Sequence, residues 1–168
     1  LVRIWRTSLY SQSWAHSAAN FFDQHDQNTV FEKKAAYKFV GRNLTEQGQT
    51  AERLLSLAAT ADFFPLLGVA PAHGRVFKPE EFEPGADNVI VLSDRLWTRR
   101  FGSDPNVVGQ RIQLDGKTVE IAGVMPPGFE HPIKDTDFWV PTAPNVNQRA
   151  SRGSLWLQSL CRLRPSGS

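Results

Sequence analysis

What this sequence lacks narrows the field first. Its 168 residues include one cysteine, Cys161, so no internal disulfide can form and a disulfide-stapled miniprotein is excluded. That scarcity leaves the compartment open, because many proteins of oxidising compartments carry no disulfide. No apolar run approaches the roughly 20 residues that a bilayer-crossing helix needs, and no signal-peptide pattern stands at Leu1. Net charge is only +2, although the sequence pI is about 8.9. No long-range field therefore favours nucleic acid, and none is expected as a partner. Arg95, Arg99 and Arg100, and farther on Arg149, Arg152, Arg162 and Arg164, read as solvated basic faces.

Signatures of chemistry are missing too. There is no G-x-S-x-G, and Ser93 in "VLSDRLW" reads as a helix N-cap. His16, His25, His73 and His131 have unrelated neighbours, so no histidine–acid pair can be argued. "DQHDQ" offers Asp23, His25 and Asp26, but spacings of one and three scatter them around a helix, unlike the i, i+4 pair of H-E-x-x-H. "GVAPAHGR" has glycines without a Lys-Ser/Thr pair or a G-x-G-x-x-G. The expectation is a non-enzyme with no catalytic, cofactor-binding or metal residues and no cofactor.

What remains is an ordinary globular composition, 40% hydrophobic and 21% charged, which excludes disorder as the state of the whole chain. Residues 1 to 10 read as a strand. Ser17 caps a predicted helix of about ten residues, and the Thr29 to Glu32 spacing predicts a second short helix carrying Phe31, Ala35 and Ala36. "RNLTEQGQ" reads as a turn. Residues 51 to 60 alternate with Leu55 and Leu57 inward, which favours a strand over a helix. Asp62 and Gly68 bracket a helix of barely two turns, Phe63 to Leu67. Pro71 to Gly85 reads as surface loop.

The second half is written mostly in strands. Val89 to Leu92 is continuously apolar. Ser93 opens a helix that Gly102 ends, with Leu96, Trp97, Arg100 and Phe101 along its apolar edge. On that period Trp97 and Phe101 share the inward stripe, while Arg95 and Arg99 face water or a partner surface. "RIQLDGKTVEI" predicts a hairpin with a type I′ turn at Asp115-Gly116, Ile112 opposite Val119 and Arg111 opposite Glu120. Phe138 to Val140 and Leu155 to Leu163 read as two more strands. The order of elements is α+β. Five tryptophans keep a carbohydrate- or ligand-binding module open as the alternative, although Trp97 and Trp139 fall on faces that read as core.

"ADFFPLLGVAPAHGRVF", "VIVLSDRLWTRRFGSDPNVVGQRIQLDGKTVEIAGVMPPGF" and "FWVP" follow one another over residues 60 to 141. Together with "LVRIW", "SAANFFDQHDQNTVFEKKAAY" upstream and "RGSLWLQSLCRLRP" downstream, they resemble the MacB-like periplasmic core domain of FtsX-like ABC transporter permeases. The resemblance implies a mixed sheet with short helices as a porter-like lobe, about 1 to 60 plus 155 to 168, and a β-rich second lobe, about 61 to 154. "IAGVMPPGFEHP" then becomes a corner, with Phe129 folding back over the core. The implied partners are the parent's own transmembrane helices, a cytoplasmic ATPase domain or subunit, a second copy in a homodimer, and a periplasmic adaptor or outer-membrane protein. The implied place is the periplasmic side of the bacterial inner membrane. With no Met at its start, the chain is expected to be excised from a longer permease, with an apolar span before Leu1 and three after Ser168. The implied role couples ATP-driven membrane motion to the periplasmic domain, of efflux or mechanotransmission type, either expelling substrate toward an outer-membrane duct or handing force to a partner. Aromatic anchors and two-residue turns predict a rigid lever, and the outward Arg95 and Arg99 are candidate partner contacts.

Overall fold

The computed structural model describes residues 2–4, 6–8, 11–14, 16–17, 31–45, 50–129, 133–142, 147, 150 and 155–163. In chain order the strands are β1 (Val2–Ile4), β2 (Arg6–Ser8), β3 (Ser11–Trp14), β4 (His16–Ser17), β5 (Phe31–Thr45), β6 (Glu52–Ala59), β7 (His73–Gly74), β8 (Val89–Leu92), β9 (Arg111–Leu114), β10 (Lys117–Val124), β11 (Phe138–Pro141) and β12 (Leu155–Leu163). Two short helices interrupt them, α1 (Phe63–Leu67) and α2 (Asp94–Phe101). The architecture is α+β, a mixed sheet with few and short helices.

The chain divides into two compact units, residues 1–38, 59–68 and 144–168 in one and 39–58 and 69–143 in the other. In the first, β12 lies between β1 and the early part of β5, antiparallel to both, with Leu160 opposite Ala35. Ala35 and Ala36 are fully buried and Tyr37 nearly so, its ring edge-on to Phe63 of α1 at 6.3 Å. Thr60 closes this corner: its amide donates to the Ala36 carbonyl and its hydroxyl accepts from the Ala36 amide.

The second unit carries a ring of strands. β5 pairs with β6, β6 with β11, β11 with β8, β8 with β10, β10 with β9, and β9 returns to β5 through Leu44 opposite Leu114. β8 and β10 are parallel, while β9 runs antiparallel to β10 and β5, and β11 antiparallel to β8. Leu44, Leu54, Ile90, Leu92, Ile121 and Phe138 form the heart of its core. A closed ring leaves no long sheet edge for another chain to extend.

The hairpin is as the residues dictate. Ile112 stands opposite Val119 and Arg111 opposite Glu120. Asp115 and Gly116 both have positive φ, 50° and 77°, the backbone of a type I′ turn. Asp115 does more than turn the chain, because its carboxylate accepts the Asn43 amide at 3.0 Å and its own amide donates to the Asn43 carbonyl. Val124 ends β10, Pro126 and Pro127 follow, and Phe129 packs 5.2 Å from the Trp139 ring. The corner is therefore a corner, within residues 121 to 129.

One crossing depends on glycine. β7 lies across the end of β10 with Gly74 opposite Gly123. A Cβ on Gly123 would collide with the backbone carbonyls of Arg75 and His73.

Several expectations are corrected. The helix predicted from the Thr29 to Glu32 spacing is strand from Phe31 onward. β12 supplies a ladder there, and residues 34 to 37 are covered on both faces, so sheet pairing overrides a local capping pattern. The same strand runs through "RNLT" to Thr45, where a turn was expected. Residues 1 to 10 are two strands rather than one, because β1 pairs with β12 while β2 pairs with β3. In β6 it is Leu54, 2% exposed, that joins the core cluster, while Leu55 is half-buried. The loop from Pro71 holds β7 and a 3-10 turn at Pro79–Phe82. Ser17 closes β4; the helix expected after it lies outside the described residues.

Candidate functional site

Helix α2 organises the main polar cluster of the second unit. Ser93 is extended at its N-cap, and its Oγ accepts the Leu96 amide at 3.1 Å. A buried cap is thus its role, one that stabilises a helix by about 1 kcal/mol. The helix buries Leu96, 1% exposed, against the ring's core. Trp97, expected on the inward stripe, is half-buried: its Nε1 donates to the Asp104 carbonyl at 2.9 Å and its ring lies 4.8 Å from His73. Gly102 ends the helix in the left-handed conformation.

Arg95 and Arg99, one turn apart, meet a carboxylate that no sequence pattern announced. Asp137 is 5% exposed and stands just before β11. Its Oδ2 accepts the Leu55 amide of β6 at 2.8 Å, and its Oδ1 accepts from Arg95 at 2.9 Å. Arg99 approaches the same oxygen at 3.8 Å and binds Glu52 with its other nitrogen; Arg100 reaches Glu52 at 3.5 Å. Arg95 also donates to the Asp135 carbonyl at 3.0 Å, with the exposed Asp135 carboxylate 3.5 Å away. Such a buried carboxylate needs its partners, since an unpaired charge in an apolar interior costs several kcal/mol.

A second pair lies in the loop after β7. Arg75 makes two bonds to the Glu81 carboxylate at 3.0 and 2.8 Å, and Glu81 also accepts the Lys78 amide at 2.8 Å. Burial pushes the Glu81 carboxyl upward, but the Arg75 guanidinium and the Lys78 amide outweigh it and hold the carboxyl below its ordinary 4.5. The hydrogen bond to Glu81 in turn raises Arg75 above the usual guanidinium value.

Between α2 and the proline corner lies a cleft of about 460 Å³. It is lined by Asp94, Arg95, Thr98 and Arg99 of α2, by Pro126, Gly128 and Phe129 of the corner, and by Asp135 and Thr136, so acids and arginines share it. The arrangement can hold a polar partner through arginines already oriented by carboxylates behind them. Among the described residues no group of three His, Cys, Asp or Glu side chains is placed to hold a metal, and no helix is long and apolar enough to cross a membrane. Asp23, His25, Asp26 and His131 lie outside the described residues, as do the side chains of Arg149, Arg152, Arg162 and Arg164.

The fold and the cluster together define a class: an α+β domain whose described charged groups are committed largely to bracing its own elements. The particular family follows from the sequence. Residues 4–165 match the MacB-like periplasmic core domain, and the chain belongs to that family. Three solved structures share the fold. One is the extracellular domain of the noncanonic ABC-type transporter YknZ from Gram-positive bacteria, at 15% identity and TM-score 0.63, covering 89% of this chain and 72% of that one. Another is a domain assigned to a permease protein from Porphyromonas gingivalis, at 18% and 0.68, covering 92% and 71%. The third is the periplasmic region of MacB from Actinobacillus actinomycetemcomitans, at 13% and 0.66, covering 97% and 71%. No curated protein is matched by this sequence.

Proposed function

We propose that this chain is the periplasmic, non-catalytic part of an ABC-type permease, on the outer side of a bacterial inner membrane. There it couples ATP-driven motion of membrane helices to a periplasmic substrate or partner. The observation that carries this reading is the family match over residues 4–165. Geometry supports the lever: the second unit is a ring of strands around one core, with Arg95, Arg99 and Arg100 tied to Asp137 and Glu52. Cross-braced elements of this kind move as a body rather than deforming. Arg95 and Arg99, about half exposed, are its candidate partner contacts.

In the same reading, the porter-like lobe is about 1 to 60 plus 155 to 168 and the β-rich lobe about 61 to 154; the compact units divide the chain differently, with residues 39–58 in the unit that carries the ring and 59–68 in the other. The ATPase, a second permease copy and a periplasmic adaptor or outer-membrane protein are its partners. The carbohydrate-binding alternative gains nothing from Trp139, which is fully buried, or from Trp97, whose indole N–H is bonded internally.

The parent reading frame tests the proposal. About 20 apolar residues shortly before Leu1 and three similar spans after Ser168 are expected. A parent with no such span would overturn the permease assignment, and saturable binding on a glycan array would then restore the alternative.

A further inference from the structure

We infer that the ring of the second unit opens locally at one joint, the seam where β9 meets β5, and that Asp115 is the latch holding this joint shut. The inference rests on the fold alone and not on the permease reading.

The two sides of β9 are held unequally. Among the described residues β9 pairs with β10 at four positions, and the Asp115-Gly116 turn joins those two strands covalently. It pairs with β5 at two positions only, Leu44 opposite Leu114 and Thr45 opposite Gln113. No turn keeps the seam's strands together once parted, since Asn43 and Asp115 are 72 residues apart. A short ladder with exposed backbone bonds opens at a lower free energy than the core strands around it. The ionic braces do not help here: Arg95–Asp137 and Arg99–Glu52 involve no residue of β5 or β9.

Asp115 supplies what this ladder lacks. Its carboxylate accepts the Asn43 amide at 3.0 Å and the Arg42 guanidinium at 3.3 Å, while its own amide donates to the Asn43 carbonyl at 3.0 Å. A side chain thus takes the amide that a regular antiparallel pair gives to a backbone carbonyl. One residue therefore contributes three bonds across a joint of two ladder positions. The clasp is within reach of water, because the Arg42 and Asp115 side chains are 43% and 35% exposed. Beneath it Leu44 and Leu114 are buried, at 0% and 4% exposure, so the closed seam is the resting state and the open one a minor population. Removing the carboxylate should raise that population without unfolding the ring.

The test is amide hydrogen exchange, followed by NMR, on the isotope-labelled 168-residue chain and on Asp115→Gly. Glycine accepts the positive φ of this turn position and deletes only the carboxylate. The amide of residue 115 is the reporter, because its acceptor, the Asn43 carbonyl, survives the substitution. Ile121, bonded to the Gln110 carbonyl, and Met125, bonded to the Leu92 carbonyl, are the controls away from the seam. With rates corrected for each residue's intrinsic exchange, residue 115 in the parent should be protected at least about tenfold less than either control. Asp115→Gly should lower its protection by about a further tenfold and leave both controls unchanged. Equal protection at all three sites in the parent would remove the joint. An unchanged residue 115 in Asp115→Gly would remove the latch, and an equal loss at all three sites would make the opening global; each of these results overturns the inference.

Discussion

Replacing Asp137 with alanine removes the carboxylate that joins three elements at once. The Leu55 amide loses its acceptor at 2.8 Å, and Arg95 loses its closest counter-ion at 2.9 Å. A hydrogen bond to a charged group contributes about 1.5–3 kcal/mol, and an amide left unsatisfied costs about 1–3 kcal/mol. Arg95 is half exposed and recovers water, so its share sits at the low end. The sum is a loss of about 3–4 kcal/mol, a large part of the stability of a typical domain. Asp135→Asn, four-sevenths exposed at the side chain, should cost less than about 1 kcal/mol. Urea unfolding of both variants measures the contrast, read from midpoints at an unchanged denaturant slope. A loss below about 1 kcal/mol for Asp137→Ala would refute the brace and leave Asp137 as a surface charge that happens to be covered.

Three further outcomes follow from the same packing. Leu96→Ala should destabilise by about 3 kcal/mol and Trp97→Ala by only about 2 kcal/mol, because the leucine is fully buried and the indole is not; the reverse order in urea would put the indole in the core. Glu81 has its carboxyl held below 4.5 in the folded state, so its contribution is complete at neutral pH and is lost as pH falls through the lowered folded value; the Glu81→Gln variant should melt below the parent at pH 7, and the gap should narrow as pH falls below 4.5. Gly123→Ala should cost about 3 kcal/mol, since its methyl meets backbone carbonyls that cannot rotate away, and a soluble variant with an unchanged melting temperature would contradict the crossing of β7 and β10.

What was legible in the residues was what local chemistry decides. The hairpin register follows from two turn residues that accept positive φ, and Ser93 and Gly102 bracket α2 through capping that reaches only one helical turn. Arg95 and Arg99 were visible as a basic face. Their carboxylates were not, because Asp137 lies 42 residues from Arg95 and 82 from Leu55, and Glu52 lies 47 from Arg99. The one available signal was an acid directly before the apolar run "FWVP", too common a pattern to carry a site. Strand β5 was misread for a related reason. Its alanines and lysines favour helix in isolation, and only the distant β12 ladder makes them strand. On α2 the period of 3.6 found the inward face but not its centre, which tertiary contacts shifted from Trp97 to Leu96.

Asp115 links two events that occur on different clocks. As half of a type I′ turn it belongs to a hairpin, a unit that forms in microseconds from neighbouring residues. Its carboxylate and amide also bind Asn43, 72 residues away, at the seam where β9 meets β5. That seam demands closure of a long loop before any contact rewards it, so it belongs to the slow part of the search. The same residue therefore commits the chain early to a register and is rewarded for it late. In the nascent protein Asn43 is made long before the turn, and the ring can be sealed only once β10 and β11, both C-terminal to Asp115, have followed it.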